Sequence, residues 1–200
     1  MARKRIIMPM PRKMGSMSMW DYQLLAQRTS PNDGHDRMDN GVLGLIGETG
    51  EIVDLLKKHR YQSTPDAPPP NERYCEELGD VLWYMAELCA GMQKDLQVMI
   101  GNDFCDIDMA AQMKFAGRQE ADIRKIILNL SMSANAICEH VEKAEFERAE
   151  YRIRRMMIAA GDLAFACKSC LQDVASANIE KLKARYPDGF DAEISMRRYD

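Results

Sequence analysis

Apolar residues recur at every third or fourth position through most of this chain, and this spacing constrains the fold more than any other feature. The alternating β-branched pattern of strands is absent, and residues 118–160 contain no glycine or proline. Two apolar stripes in the second half predict a pair of antiparallel helices. The stripes consist of Ile123, Ile126, Ile127, Leu130, Ala134, Ile137 and Val141, and of Ile153, Met156, Met157, Ala160, Leu163, Ala164, Cys167 and Leu171. The sequence therefore predicts an all-α protein built as a helical bundle.

Breaks in the pattern place the other helices. Ser18 is a plausible N-cap for the first helix, and the prolines of "STPDAPPP" (63–70) form a loop because successive prolines cannot continue a helix. Residues 95–117 are less regular, with room for one short helix. The predicted helices cover 19–29, 40–60, 71–93, two segments of 118–172 separated within the charged run 142–150, and 173–185.

Composition excludes several classes of function. Hydrophobic residues make up 46% of the 200 residues, and the net charge of -4 gives no indication of nucleic-acid binding. No apolar run approaches the roughly 18 residues of a membrane span. The six cysteines lie mostly in apolar helical patterns, as expected for reduced thiols in a cytoplasmic protein, and "CKSC" (167–170) is a weak zinc or redox signal. Residues 1–18 are predicted to form a flexible basic segment; a phosphate-binding arm or a targeting segment is the alternative.

Two pairs of acids interrupt the apolar pattern of consecutive helices. Glu48 and Glu51 are three residues apart and share a helix face, as do Glu77 and Asp80. An antiparallel hairpin would set the four carboxylates face to face, where they would repel one another and lose hydration. A divalent cation resolves this conflict, and oxygen ligands of this kind suit Mg²⁺, with Mn²⁺ as a substitute. The acids are therefore predicted to be metal ligands that line a cleft.

Three glycines accompany the first acid pair. Gly44, Gly47 and Gly50 share its spacing of three, and each costs a helix roughly 1 kcal/mol relative to alanine. Their presence predicts the close approach of another helix or of a ligand.

The residues around the acids match a family. "GLIGETGEIVDLLKKHR" (44–60) followed by "EELGDVLWYMAELCAG" (76–91) resembles the MazG-like nucleoside triphosphate pyrophosphohydrolases of the all-α NTP pyrophosphatase superfamily. The early "DYQLLAQRT" and the late "NIEKLKARYPDGF" (178–190) are similar to other parts of these proteins, so that the resemblance covers about 19–93 and 173–197. It implies an all-α pyrophosphatase fold and a metal-dependent hydrolase that converts (d)NTP to (d)NMP and pyrophosphate. Nucleotide-pool control or removal of non-standard nucleotides would be its role.

The resemblance also implies site residues. Its metal motif falls on Glu48, Glu51, Glu77 and Asp80, which would serve the catalysis, and one of the glutamates could also orient the attacking water. Cations for the phosphates are expected from the motif helix and from the tail, where residues three or four apart share a face. A tryptophan could stack on the base, although core packing is the more common role of such a residue. The predicted substrate-binding residues are Lys57, Lys58, Asn178, Lys181, Arg185, Tyr186, Trp83 and Gln23.

The chain departs from short members of the family in its second half. We predict one all-α domain over 19–200, with a metal-motif module (19–95), a helical pair (118–172) and a family tail (173–197). Residues 43–56 can be aligned with 128–141, and 77–85 with 159–167. The pair is thus either a degenerate repeat that replaces a second subunit or a plain insertion. A homodimer is expected unless the repeat replaces that subunit.

Two other classes of protein are alternatives to the enzyme. A catalytically silent helical module for nucleotide binding or interaction would carry the acids only as surface. A di-iron bundle would need Glu-x-x-His pairs, and position 137, three before His140, is Ile137. Base and sugar preference are not encoded in any recognised motif.

Overall fold

The computed structural model describes residues 17–31, 36–64, 66–100 and 122–196. This part of the chain is helical and contains no strand, which confirms the predicted all-α class. The helices are α1 (Met19–Gln27), α2 (Arg37–Tyr61), α3 (Asn71–Gly91), α4 (Leu96–Ile100), α5 (Ile123–Glu142), α6 (Phe146–Ala166), α7 (Leu171–Arg185) and α8 (Ala192–Met196). Most of the basic start, Cys105 and residues 101–117 of the irregular segment lie outside the described residues.

Local signals determine where the helices begin and end. Ser18 caps α1 as predicted: its hydroxyl accepts from the Asp21 N–H, and the Asp21 carboxylate accepts from the Ser18 N–H in return. Helix α3 begins immediately after the three prolines of the loop, because successive prolines cannot continue a helix. The break between α5 and α6 falls at residues 143–145, inside the predicted charged run.

The described helices form two antiparallel hairpins that share one core. Helices α2 and α3 pack along each other, α5 and α6 do the same, and the hairpins meet chiefly through α2 and α5. Helix α7 returns to pack mainly on α3 and contacts α1 as well. Buried residues of both hairpins belong to one hydrophobic cluster, among them Leu45, Leu78, Leu130 and Met156. The predicted module boundaries, including the repeat, stay a prediction.

Close helix contact explains one of the three glycines. A Cβ at Gly44 would lie 2.0 Å from the ring of Tyr84, so only glycine lets α2 approach α3 there. Gly47 and Gly50 have open space around them within the described chain. The prediction of close approach is therefore confirmed by a helix at Gly44, whereas the other two glycines border an open surface.

Candidate metal and phosphate site

Three of the four predicted metal ligands converge between α2 and α3. One carboxylate oxygen from each of Glu48, Glu77 and Asp80 lies within 4.8 Å of the other two, and all three side chains are partly buried. Glu48 projects from α2, and Glu77 and Asp80 project from one face of α3 because they are three residues apart. We call these three side chains the acidic trio.

Glu51 lies at the margin of the trio. It is exposed on α2 and is not part of the group within 4.8 Å. Its charge is nevertheless close enough to contribute to raising the pKa of Glu77. Its predicted place as a fourth ligand stays a prediction.

In the trio, Glu77 shows the loss of hydration and the charge repulsion that the sequence predicted for the acids. Burial is the main cause that raises the pKa of Glu77, and the neighbouring negative charge of Asp80 is the second. Arg73, one turn earlier on α3, lies 3.8 Å from Glu77 and offsets part of this charge. Carboxylate oxygens crowded in this way are the ligands that a hard divalent cation prefers. The trio could therefore bind a metal ion.

Two predicted tail residues reach Asp80 from α7. The Asn178 amide donates to Asp80 Oδ1 at 3.0 Å, and the Lys181 ammonium donates to Asp80 Oδ2 at 2.5 Å. Lys181 therefore places a cation beside the trio, as the resemblance implied for the phosphates. Gly79 permits this contact, because an added Cβ would lie 3.0 Å from the Asn178 side chain.

Sequence reasoning missed the residue that holds Asn178. Tyr22, on α1, is fully buried, and its hydroxyl donates to Asn178 Oδ1 at 2.9 Å. Burial raises the pKa of Tyr22 well above its usual value, so the hydroxyl keeps its proton. The residue lies inside "DYQLLAQRT", but in that stretch a helical core tyrosine has the same spacing as one aimed at a site. Only the contact with a helix more than 150 residues away in sequence distinguishes the two.

The remaining predicted substrate contacts lie apart from the trio or make other contacts. Lys57 and Lys58 both pair with Asp54, and hydrogen bonds from Lys57 and then Lys58 lower the pKa of that carboxyl. Arg185 is half-buried at the end of α7, and the buried Tyr186 packs against Phe190. Their predicted roles stay predictions.

Two of the predicted base contacts tie elements together. The Trp83 indole donates to Thr29 Oγ1 at 2.9 Å and contacts Tyr84 edge to face. The Gln23 amide accepts from the Leu96 N–H at 2.8 Å and donates to the Lys94 carbonyl at 3.1 Å, which links α1 to the start of α4. A base contact at either residue stays a prediction.

A cavity opens beside the trio, between α3 and α7. Its volume is about 480 Å³, within the range of small-molecule sites. Gly79, Asn178 and Lys181 form the wall nearest to Asp80, and Cys75 lines another part. A hydrogen bond from the Cys167 thiol lowers the pKa of Cys75. The two side chains that contact Asp80 therefore also line the cavity.

The fold and the trio define a class: an all-helical protein with a carboxylate cluster between two packed helices, suited to a divalent cation. Within it, residues 38–107 match the family model of the MazG nucleotide pyrophosphohydrolase domain. This match confirms the resemblance over the helices that carry the four acids, and suggests the nucleotide pyrophosphohydrolase family. No curated protein and no solved structure matches the chain. Across the described ranges, no helix has the length and apolar character needed to cross a bilayer.

Proposed function

We propose that this protein is a Mg²⁺-dependent nucleoside triphosphate pyrophosphohydrolase that cleaves (d)NTP to (d)NMP and pyrophosphate. The observation that carries the proposal is the convergence of Glu48, Glu77 and Asp80 within the segment that matches the MazG family. A role in nucleotide-pool control or in removal of non-standard nucleotides follows from the reaction. The proposed location is the cytoplasm, where such substrates occur.

The trio would hold the cation, with Glu51 as a fourth ligand or as the carboxylate that orients the attacking water. Mg²⁺, or Mn²⁺ in its place, would neutralise charge on the phosphate oxygens and so favour attack at phosphorus. Glu51 suits either role because it reaches solvent next to Glu77. Lys181 is the cation placed best for the phosphates, since its ammonium already lies at the margin of the trio.

Arg73 adds a second cation that the sequence did not suggest. Its side chain is 65% exposed, and its Nη2 lies 3.8 Å from Glu77 Oε1, which is long for an ion pair. The pair therefore contributes little free energy to holding Arg73 in place. We assign it to a phosphate oxygen near Glu77. The planar guanidinium can bind two such oxygens at once.

The first test is hydrolysis of a panel of NTPs and dNTPs with Mg²⁺ and with EDTA, followed by separation of the products. Monophosphate plus pyrophosphate, formed only with metal, is the expected result. Diphosphate plus phosphate would contradict the bond proposed. No turnover of any nucleotide would favour a silent nucleotide-binding or interaction module.

A matched pair of variants connects the activity to the trio. Glu48→Gln removes one charged ligand and should lower kcat/KM by more than about 100-fold, beyond the 10–100-fold typical of residues that only support a ligand. Glu147→Gln changes an exposed acid at the start of α6 and should leave kcat/KM within about 2-fold, as expected for a surface residue. Equal losses in the two variants would show that the trio is not the reacting site.

The packing of the two hairpins bears on the number of subunits in the protein. The hairpin of α5 and α6 packs on that of α2 and α3 within one chain, which supports the option that the second half replaces a subunit. Light scattering on the purified protein should then give the mass of the 22.8 kDa monomer. A dimer mass would favour the insertion and the homodimer expected from the family.

A further inference from the structure

We propose that Tyr22 is a positioning residue that acts through Asn178 to hold Asp80 in the orientation needed for a divalent cation. The inference rests on the proposed metal-dependent function and deepens it. Its basis is a continuous chain of two hydrogen bonds, the first buried and the second partly buried. Tyr22 donates to Asn178 at 2.9 Å, and Asn178 donates to Asp80 at 3.0 Å.

The polarity of this chain is fixed by chemistry. An ionised carboxylate only accepts hydrogen bonds, so the amide nitrogen of Asn178 must face Asp80. The amide oxygen then faces α1 and requires a donor, which a protonated phenol supplies. Without the Tyr22 hydroxyl, the buried side-chain oxygen of Asn178 would lack this donor, and the amide would be held only from the Asp80 side.

Three helices distant in sequence meet at this point. Tyr22 comes from α1, Asp80 from α3 and Asn178 from α7. Tyr22 and Asn178 are at most 3% exposed. Gly79 provides the room for Asn178 against α3. The Tyr22 hydroxyl also lies 3.4 Å from the Gly79 carbonyl, but its single proton favours the shorter contact with Asn178.

Both carboxylate oxygens of Asp80 accept hydrogen bonds from α7. Asn178 orients one of its oxygens and Lys181 contacts the other. When a cation or a phosphate draws Lys181 away, Asn178 becomes the remaining side-chain hydrogen-bond donor to Asp80 within the described part of the chain. Partners of this kind typically change metal affinity by 10–100-fold when they are removed.

The test compares Tyr22→Phe with Tyr74→Phe. Each variant deletes one hydroxyl from a tyrosine that is at most 1% exposed. Tyr74 is a matched control, because its hydroxyl makes no hydrogen bond within the described part of the chain. Binding of Mn²⁺ alone, followed by electron paramagnetic resonance of the free ion, should weaken about 10-fold or more in Tyr22→Phe and less than 2-fold in Tyr74→Phe. Equal effects in the two variants would overturn the proposal.

A double-mutant cycle distinguishes positioning from general loss of packing. If Tyr22 acts through Asn178, Tyr22→Phe should weaken Mn²⁺ binding in the wild-type background and have no further effect in Asn178→Ala. Additive losses would mean that Tyr22 supports the site by another route and would overturn the proposed chain. Should the double variant fail to fold, the single variants still decide the question.

A second readout needs neither metal nor turnover. The side-chain amide of Asn178 gives a pair of ¹H–¹⁵N signals that can be assigned by their loss in Asn178→Ala. In metal-free protein these signals should move in Tyr22→Phe and stay in place in Tyr74→Phe. Unmoved signals in Tyr22→Phe would overturn the positioning role. If the signals move in Tyr22→Phe but the wild-type protein binds no Mn²⁺, the result would instead contradict the proposed metal-dependent function.

Discussion

Glu77 is the residue at which the requirements of folding and of the site conflict most. Its carboxyl is partly desolvated in α3 and lies beside Asp80, and these two effects, in that order, raise its pKa above the usual 4.5. The folded protein therefore binds this proton more tightly than the unfolded chain does. Ionisation of Glu77 therefore lowers the free energy of unfolding as the pH rises from 4.5 through its raised pKa, and the loss is complete above that pKa.

Neutralising this side chain should stabilise the metal-free protein. In EDTA at pH 7, Glu77→Gln should raise Tm, by about 2–4 °C for each kcal/mol gained. The difference from wild type should shrink as the pH falls and vanish below 4.5, where Glu77 becomes protonated in both states. Thermal unfolding followed by circular dichroism measures both effects. A Tm below that of wild type at pH 7 would show that Glu77 stabilises the fold.

The same variant should respond differently to metal. Excess Mn²⁺ is expected to raise the Tm of wild-type protein, since a ligand that binds only the folded state stabilises it. Glu77→Gln should lose most of this increase. Glu76→Gln, which changes an exposed neighbour on α3, is the control and should keep it.

At the scale of the element, α2 shows that a row of glycines need not have one purpose. Gly41 and Gly44 lie against α3, where an added Cβ would meet Leu88 at 2.7 Å and Tyr84 at 2.0 Å. Gly47 and Gly50 lie on the open side of the same helix, next to Glu48 and Glu51. The sequence spacing is uniform, whereas the surroundings change from packed to open.

Alanine substitutions should separate these two environments. Gly47→Ala adds a methyl group into open space and should raise the free energy of unfolding by about 0.5–1 kcal/mol. Gly44→Ala should lower it by about 1–3 kcal/mol, because the ring of Tyr84 must move. Urea unfolding measures both values. A stabilising Gly44→Ala would mean that α2 and α3 are less tightly packed than described.

At the scale of the whole molecule, the second hairpin supplies buried core residues, and it lacks counterparts of two acids of the trio. In the proposed repeat, Glu48 corresponds to Ser133 and Glu77 to Ala159, and both counterparts are buried. The Ser133 hydroxyl is satisfied locally by the Asn129 carbonyl at 2.8 Å. In this alignment two acidic positions of the first hairpin hold small buried residues in the second, whereas Asp80 corresponds to Asp162 and stays acidic.

A shared core predicts that both hairpins unfold together. Leu130→Ala, on α5, should cost about 2–5 kcal/mol because the side chain is fully buried. Trp83 lies in α3 and Trp20 in α1, so tryptophan fluorescence reports on the first half of the chain and not on α5 or α6. We expect fluorescence and circular dichroism to shift by the same amount in urea. An unchanged fluorescence transition would show that the hairpins unfold separately.

A neighbouring variant provides the control for this experiment. Met132, on the same helix, is 71% exposed. Met132→Ala should therefore change the free energy of unfolding by no more than about 0.5 kcal/mol.

The sequence by itself determined the helical class, most helix ends and the acids that meet between α2 and α3. These properties depend on spacing along a helix, on proline and on capping, all of which act within a few residues. It also indicated Asn178 and Lys181, through the resemblance of the tail. Only the tertiary structure decided that Tyr22 reaches Asn178, that Gly44 meets Tyr84 while Gly47 is open, and that Arg73 lies over Glu77. Each of these depends on which helix faces which after the chain has closed over long separations, and local periodicity carries no record of that choice.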